Sequence, residues 1–184
     1  MNSSVKTKWA IDPAHSEISF KVRHLMITNV KGVFKDFSAS VKTTAGDFIT
    51  SEIEFSLNPA SVDTGAPDRD NHLKSADFFD VEKYGRFSFS GIKVEKSRAE
   101  GSYILHGDLT IKDITRPVKL NVEFAGVMKD PWGNEKAGYT LTGKINRQEW
   151  GLNWNTPLEA GGLLLSDEVI ISCDVQLVKQ SLSE

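Results

Sequence analysis

Six polar side chains of the sequence could together bind the polar end of a small molecule. Arginine and histidine donate hydrogen bonds to pyrophosphate, hydroxyl and carbonyl oxygens, and converging groups of this kind fix the orientation of a ligand. Alternatively, these residues could have a structural role. Asp70 could pair with His15 or His24 and hold the polar segment 58–81 against the rest of the fold. The head-group candidates are His15, Arg23, His24, Arg69, Asp70 and His72.

The sequence offers little for metal binding or catalysis. The four histidines form no HxH or HxxxH pair, the spacing that places two ligands on one face of a strand or helix. His15 and Ser16 are adjacent, so on a strand they would point to opposite faces and could not act together. Cys173 lies in an alternating apolar row, which is typical of a buried, inert thiol. Since GxSxG, P-loop and GxGxxG motifs are also absent, we predict no metal, no cofactor and no enzyme activity.

The segments that would position these residues show a hydrophobicity pattern that repeats every two residues. Apolar and polar residues alternate along four segments, which places one face of each strand toward a core and the other toward water. Such alternation is typical of antiparallel sheets, because strands of buried parallel sheets are apolar on both faces. The four segments are 18–22, 49–57, 118–124 and 169–177, and weaker strand patterns occupy 37–42, 87–94, 103–111 and 138–146.

Eight strands separated by turn signals predict an all-β fold. The turns contain Ala45-Gly46-Asp47, Ala99-Glu100-Gly101, Lys112-Asp113 and the run 130–134. Eight antiparallel strands can close into a barrel that holds a small ligand, and closure removes sheet edges that would otherwise aggregate. The predicted fold is an eight-stranded antiparallel extended β-barrel. A two-sheet sandwich is the alternative.

The segment 58–81 interrupts the strand pattern. Pro67 suits the first turn of a helix, so we expect a short helix from Pro67 to Lys74. Ser75 could cap a second turn that contains Phe78 and Phe79. An insertion that begins polar and ends aromatic would suit a lid over one end of the barrel.

The inward face of such a barrel would form an apolar tunnel. Eight strands spaced about 4.8 Å apart close at a radius of roughly 8 Å, which leaves a tube about one hydrocarbon chain wide where side chains are small. The tunnel candidates are Phe20, Val22, Phe37, Ile53, Phe55, Phe78, Phe79, Phe87, Phe89, Leu120, Val122, Phe124, Ile171 and Val175.

Composition limits the class of protein. The 184 residues are expected to form a single domain over 1–184, and a net charge of −3 gives no support for nucleic-acid binding. One cysteine cannot form an internal disulfide. The N-terminus has no apolar signal-peptide core and no run reaches the ~20 residues of a spanning helix, so we expect a cytoplasmic protein without stable membrane insertion.

A series of short motifs runs in order along the chain, from about Trp9 to Val178. They are Trp9, Asp12, His15-Ser16, Ile18, Phe20, Val22–Met26, Gly32, Phe34, Phe37, Ser61–Gly65, Arg69-Asp70, His72–Ser75, Asp77–Val81, Gly107–Ile111, Thr115–Val118, Asp130–Gly133, Asn146-Arg147, Gly151-Leu152 and Asp167–Val169. With these motifs the sequence resembles the YceI-like family of polyisoprenoid-binding, lipocalin-like proteins. Two features depart from the family: many members carry a signal peptide and are periplasmic, and Ala66-Pro67 replaces the usual Asn or Glu after the Thr-Gly pair.

The resemblance implies a barrel with an isoprenoid-type chain running through it, and non-enzymatic binding, storage or transport of that lipid. Polyprenyl phosphates, quinones and similar amphiphiles all fit this description. An enzyme acting on a prenyl-chain substrate and a stress-related interaction protein with no ligand are the alternatives. We also expect a homodimer, because twofold assemblies are the commonest oligomers.

Overall fold

Alternating apolar and polar residues become antiparallel strands in the computed structural model, which describes residues 5–159 and 161–181. Each strand turns its more apolar parity inward, since this removes apolar side chains from water. The strands are β1 (Lys6–Ile11), β2 (Glu17–His24), β3 (Thr28–Phe34), β4 (Phe37–Thr44), β5 (Asp47–Leu57), β6 (Val62–Asp63), β7 (Phe87–Lys96), β8 (Ser102–Ile111), β9 (Ile114–Lys129), β10 (Glu135–Asn146) and β11 (Leu165–Lys179).

All of these strands belong to one sheet that closes on itself. β11 closes it by pairing with β1, Lys179 opposite Trp9, and with β2, Cys173 opposite Ile18. β1 and β2 therefore form one wall of the barrel, interrupted by the 3-10 turn Pro13–His15, and β3 and β4 form the next wall. Together with β5 and β7 to β11 they make eight antiparallel walls. The predicted eight-stranded barrel is confirmed, and the two-sheet alternative is wrong because a single closed sheet surrounds the interior.

The sequence prediction missed β1, β3 and the two-residue β6. In β3 the inward positions include Gly32, which interrupts the apolar alternation. A Cβ at this position would lie 2.4 Å from Cζ of Phe20, so the Phe20 ring occupies the space that a side chain would need. The strand is present although its sequence signal is weak.

The insertion between β5 and β7 has the predicted helix, α1 (Pro67–Lys74). A hydrogen-bonded turn follows over residues 76–79, and Ser75 Oγ accepts from the amide of Asp77 at 3.3 Å. Helix α1 has no buried residue of its own. The insertion is anchored by Phe78 and Phe79, both buried in the barrel core, with the Phe79 ring 5.1 Å from that of Phe87.

The core follows the barrel axis. Most buried apolar side chains belong to one cluster that includes Leu105, Val122 and Trp150. Trp150, which is fully buried, donates from Nε1 to the carbonyl of Leu109 at 2.9 Å, so its single polar atom is satisfied. Over residues 5–159 and 161–181, none of the helices has the length and apolar character needed to cross a bilayer.

Candidate functional site

The interior of the barrel contains an apolar cavity of about 400 Å³. This volume lies within the roughly 300–1,000 Å³ of pockets that hold small molecules. Inward residues of successive walls line it, which is clearest along β11. Besides Leu165, the β11 side chains on the cavity wall are Val169, Ile171, Cys173, Val175 and Leu177, the row whose alternation was visible in the sequence.

The structure places twelve of the fourteen predicted tunnel residues on the cavity wall. They are Phe20, Val22, Ile53, Phe55, Phe78, Phe79, Phe87, Phe89, Leu120, Val122, Ile171 and Val175.

Two tunnel candidates, Phe37 and Phe124, do not line the cavity. Phe37 begins β4 directly after the break in its wall, and its ring stacks on Phe55 with centroids 6.4 Å apart. The Phe124 ring stacks on Tyr139 at 5.1 Å, and Tyr139 is the residue of this pair that faces the cavity. Both residues lie on the inward parity of their strands, but their rings pack against a neighbouring aromatic ring and do not reach the cavity wall.

One end of the cavity, which we call the mouth, lies under α1, the turn 76–79 and the loop 151–164. Three rings pack together here: His72 lies 4.6 Å from Trp154 and 5.0 Å from Phe78, both edge to face. His72 Nε2 is also 2.8 Å from Oδ2 of Asp77. The ring contacts connect α1 to the loop 151–164, which come from distant parts of the sequence.

The structure brings three of the six head-group candidates to the cavity: His24, Arg69 and His72. Arg69 is oriented by Thr64, since its Nε donates to Thr64 Oγ1 and its Nη2 to the Thr64 carbonyl, both at 2.8 Å. The polar groups of the site are therefore concentrated at the mouth.

His15, Arg23 and Asp70 do not line this cavity. His15 sits on the 3-10 turn in the side of the barrel, where its Nδ1 is 2.9 Å from Asp12 Oδ2, and this contact is the main cause that lowers the pKa of Asp12. Arg23 is on the outer parity of β2. The proposed pairing of Asp70 with a histidine is replaced by hydrogen bonds from the amide and hydroxyl of Thr64, at 2.8 and 2.6 Å. Asp70 thus orders the start of α1.

Arg147 was not among the predicted site residues, although it lines the cavity. Its side chain is only 4% exposed. Nε donates to the carbonyl of Ser166 at 2.9 Å, and Nη1 donates to the carbonyls of Leu152 and Trp154. These bonds fasten the loop 151–164 to the start of β11. Burial lowers the pKa of Arg147, against the opposing effect of Asp167.

The second terminal amine of Arg147, Nη2, has no hydrogen-bond partner within the described residues, and the nearest carboxylate oxygen of Asp167 is 3.9 Å away. A single arginine in a loop has no periodicity to mark it as buried. The one sequence feature that could have marked Arg147 as a site residue was its position in the Asn146-Arg147 motif.

At the opposite end, aromatic rings meet at the cavity. Phe48 lies 4.7 Å from Tyr139 and 5.2 Å from Tyr103. Burial raises the pKa of Tyr139 to about 12, with a smaller contribution from Tyr103. Burial likewise raises the pKa of Cys173 on the wall to about 11. Both groups are therefore neutral at pH 7, and the space between the two ends has uncharged walls.

The arrangement of potential metal ligands and of Ser16 bears on the chemistry available to the protein. Within residues 5–159 and 161–181, no three His, Cys, Asp or Glu side chains are grouped so that they could hold a metal ion. Ser16 lies beside His15 in sequence, but its Oγ accepts from the amide of Gln176 at 3.0 Å.

A closed antiparallel barrel with an apolar cavity inside it defines a binding-type β-barrel. The chain belongs to the YceI-like domain family, whose model matches residues 9–177. A UPF0312 protein of Staphylococcus aureus strain USA300 is 41% identical over 164 residues, which cover 89% of this chain and 92% of that protein.

Solved structures of this fold are similar over most of the chain. The YceI protein of Campylobacter jejuni is 33% identical, with a TM-score of 0.74 and coverage of 92% of this chain and 96% of that one. BcnA of Burkholderia cenocepacia has a TM-score of 0.78 at 22% identity, covering 90% and 98%. A polyisoprenoid-binding domain from Saccharophagus degradans has a TM-score of 0.61 at 14% identity, covering 94% and 98%. At such identities the last two show the fold alone.

Proposed function

We propose that the protein binds a long isoprenoid-type lipid inside the barrel and carries it without chemical change. The observation that carries this proposal is the cavity inside the barrel, whose wall is built mainly from inward apolar side chains of β1 to β5 and β7 to β11. Each buried CH₂ contributes about 0.8 kcal/mol, so an extended hydrocarbon gains affinity along its whole length. A smooth apolar wall distinguishes chains differing by one methylene only weakly, and we expect tolerance of chain length.

The polar end of the ligand is assigned to the mouth. His24, Arg69 and His72 supply donors there, whereas the wall beyond them is formed mainly by apolar side chains. A lipid that enters tail first would leave its hydroxyl, carbonyl or phosphate oxygen beside these groups. The polyisoprenoid-binding domain of Saccharophagus degradans, which shares the fold, supports the choice of an isoprenoid tail.

A carrier role is favoured over catalysis by the chemistry of the wall. The thiol of Cys173 has a pKa raised to about 11, so it is not a nucleophilic thiolate at neutral pH. Ser16 is engaged by backbone and lies away from the mouth. We further propose that the protein acts in the cytoplasm and as a homodimer, which cell fractionation and light scattering would check.

Native mass spectrometry before and after extraction with organic solvent tests the proposal. We expect a bound mass that extraction removes, and uptake of a fluorescent apolar probe by the extracted protein that a polyprenyl alcohol displaces. Protein that releases no lipid and takes up no probe would overturn the proposal.

A triple variant, H24Q/R69Q/H72Q, tests the orientation. It should lose the preference for a polyprenyl phosphate over the matching hydrocarbon, while the affinity for the hydrocarbon is kept. An unchanged preference would place the head group elsewhere.

A further inference from the structure

The hairpin between β2 and β3 exposes three consecutive apolar side chains. Leu25, Met26 and Ile27, which we call the tip, are 41%, 62% and 76% exposed. Single exposed apolar residues are normal on protein surfaces, but a contiguous group marks an interaction site. Leu163 on the adjacent loop is also exposed and extends the apolar surface.

The backbone of the tip adds a second observation. Ile27 N donates to the carbonyl of His24 at 3.2 Å, and the two residues between them have positive φ, 53° at Leu25 and 62° at Met26. This sign pattern belongs to the type I′ turn, which favours Asn-Gly and disfavours side chains such as Leu and Met. The tip thus combines an unfavourable conformation with unfavourable exposure.

The turn between β8 and β9 provides a comparison within the same molecule. Lys112 and Asp113 have the same φ values, 53° and 62°, but both are polar. The conformation therefore does not require apolar side chains in this protein. Backbone strain of this kind is concentrated at functional sites, and here the strained residues are also the exposed apolar ones.

Three cations lie on the two strands that lead to the tip. Lys21, Arg23 and Lys31 lie on the outer parity of β2 and β3, since Phe20, Val22 and Val30 face the cavity. Glu17 is the one acidic residue of segment 17–34, so that segment carries a formal charge of +2 (three cations minus one carboxylate), against −3 for the whole chain. Lys31 Nζ lies 2.9 Å from Glu17 Oε1, which leaves Lys21 and Arg23 as the cations of this segment that are not paired with its carboxylate. The adjacent loop contributes the acidic Glu159, and the start of β11, which hydrogen-bonds to Arg23 through Ser166, contributes Asp167 and Glu168.

The tip is continuous with the mouth of the cavity. His24, immediately before the tip, lines the cavity, and Leu25 N donates to the carbonyl of Leu164, another lining residue, at 2.9 Å. A ligand leaving the barrel here would pass the apolar tip.

We propose that the tip docks onto an anionic lipid bilayer. Leu25, Met26 and Ile27 enter the boundary between head groups and acyl chains, and Lys21 and Arg23 contact the anionic head groups. Apolar contact combined with several cations is the pairing of signals that reversible membrane association requires. The inference goes beyond the proposed function and rests on it only for the reason to dock, which is exchange of an apolar ligand with the membrane.

Co-sedimentation with vesicles tests the docking surface. Vesicles of phosphatidylcholine alone are compared with vesicles that also contain phosphatidylglycerol. The wild type should bind the anionic vesicles, and high salt should weaken this binding several-fold because screening removes the charge contribution. The variant L25N/M26G/I27S removes the apolar side chains and installs the sequence that the turn favours, so it should fold, and should bind about tenfold or more weakly.

The matched control is M128S/W132S. Met128 and Trp132 are at least as exposed as the tip but lie at the opposite end of the barrel, at the β9–β10 hairpin. This variant should sediment with anionic vesicles as the wild type does. The proposal would be overturned if the wild type does not bind anionic vesicles, or if the tip variant binds them as tightly as the wild type does. A concentration-dependent dimer that the tip substitutions disrupt, without vesicle binding, would instead assign the surface to a second copy of this chain.

Uptake of the fluorescent apolar probe from solution separates the two proposals. The tip variant should take up the probe as the wild type does, because its substitutions leave the cavity wall intact. If the wild type does not take up the probe, the proposed lipid cavity is refuted. If the wild type takes up the probe but does not bind vesicles, only the docking surface is refuted.

Discussion

Replacing Ile171 by tryptophan is expected to abolish lipid binding without unfolding the barrel. Ile171 lies on β11 opposite Gly143 and Phe20, with its side chain on the cavity wall. Tryptophan adds six heavy atoms to the side chain and would displace about six carbons of a bound chain. At about 0.8 kcal/mol for each buried CH₂ the loss is ~5 kcal/mol, or between three and four orders of magnitude in Kd.

The neighbouring residue supplies the control. Ile170 is on the outer parity of the same strand, opposite Lys144 and Lys21, so I170W adds the same side chain outside the cavity. Probe titration and native mass spectrometry of both variants, with circular dichroism to verify the fold, make the comparison. If I171W is folded and binds as tightly as I170W, the ligand does not occupy the cavity and the reasoning is refuted.

Two further predictions concern stability. Because burial raises the pKa of Cys173 from its ordinary 9.0 to about 11, the unfolded chain loses this proton at lower pH than the native protein. The free energy of unfolding should therefore fall by up to about 2.7 kcal/mol between pH 9 and 11. Denaturant titrations of the C173A variant should show a smaller fall over the same pH range. An equal fall in the two proteins would contradict the raised pKa of the Cys173 thiol. R147M removes the hydrogen-bond donors to the carbonyls of Leu152, Trp154 and Ser166. This loss should lower the free energy of unfolding by about 3 kcal/mol and Tm by roughly 6–12 °C. A Tm shift under 2 °C in thermal unfolding would show that the loop 151–164 is held by other contacts.

The barrel strands that could be predicted from the sequence are those in which apolar and polar residues alternate. The row from Val169 to Leu177 faces the cavity as its period of two requires. β1 and β3 were not predicted, and for β3 the structure gives the reason. In β3 the ring of Phe20 covers Gly32, so the apolar group at that position comes from another strand.

The mouth was predictable only in part. Pro67 and the aromatic pair Phe78-Phe79 were sufficient to indicate a helix and a buried turn. Arg147 could not be assigned in the same way, because its acceptors are carbonyl groups whose positions depend on the folded loop 151–164. Parity along a strand defines which face is inward, but it does not define how close a side chain lies to the cavity.

The pairing of β11 with both β1 and β2 has a consequence for biosynthesis. The ribosome makes β11 after every other strand, yet β11 fills the gap between β10 and the first wall. Until β11 has emerged, two strand edges and the apolar wall remain open to water and to other chains. Folding of the barrel must therefore be completed after translation of β11, and during that interval the nascent chain is most exposed to aggregation and most dependent on chaperones.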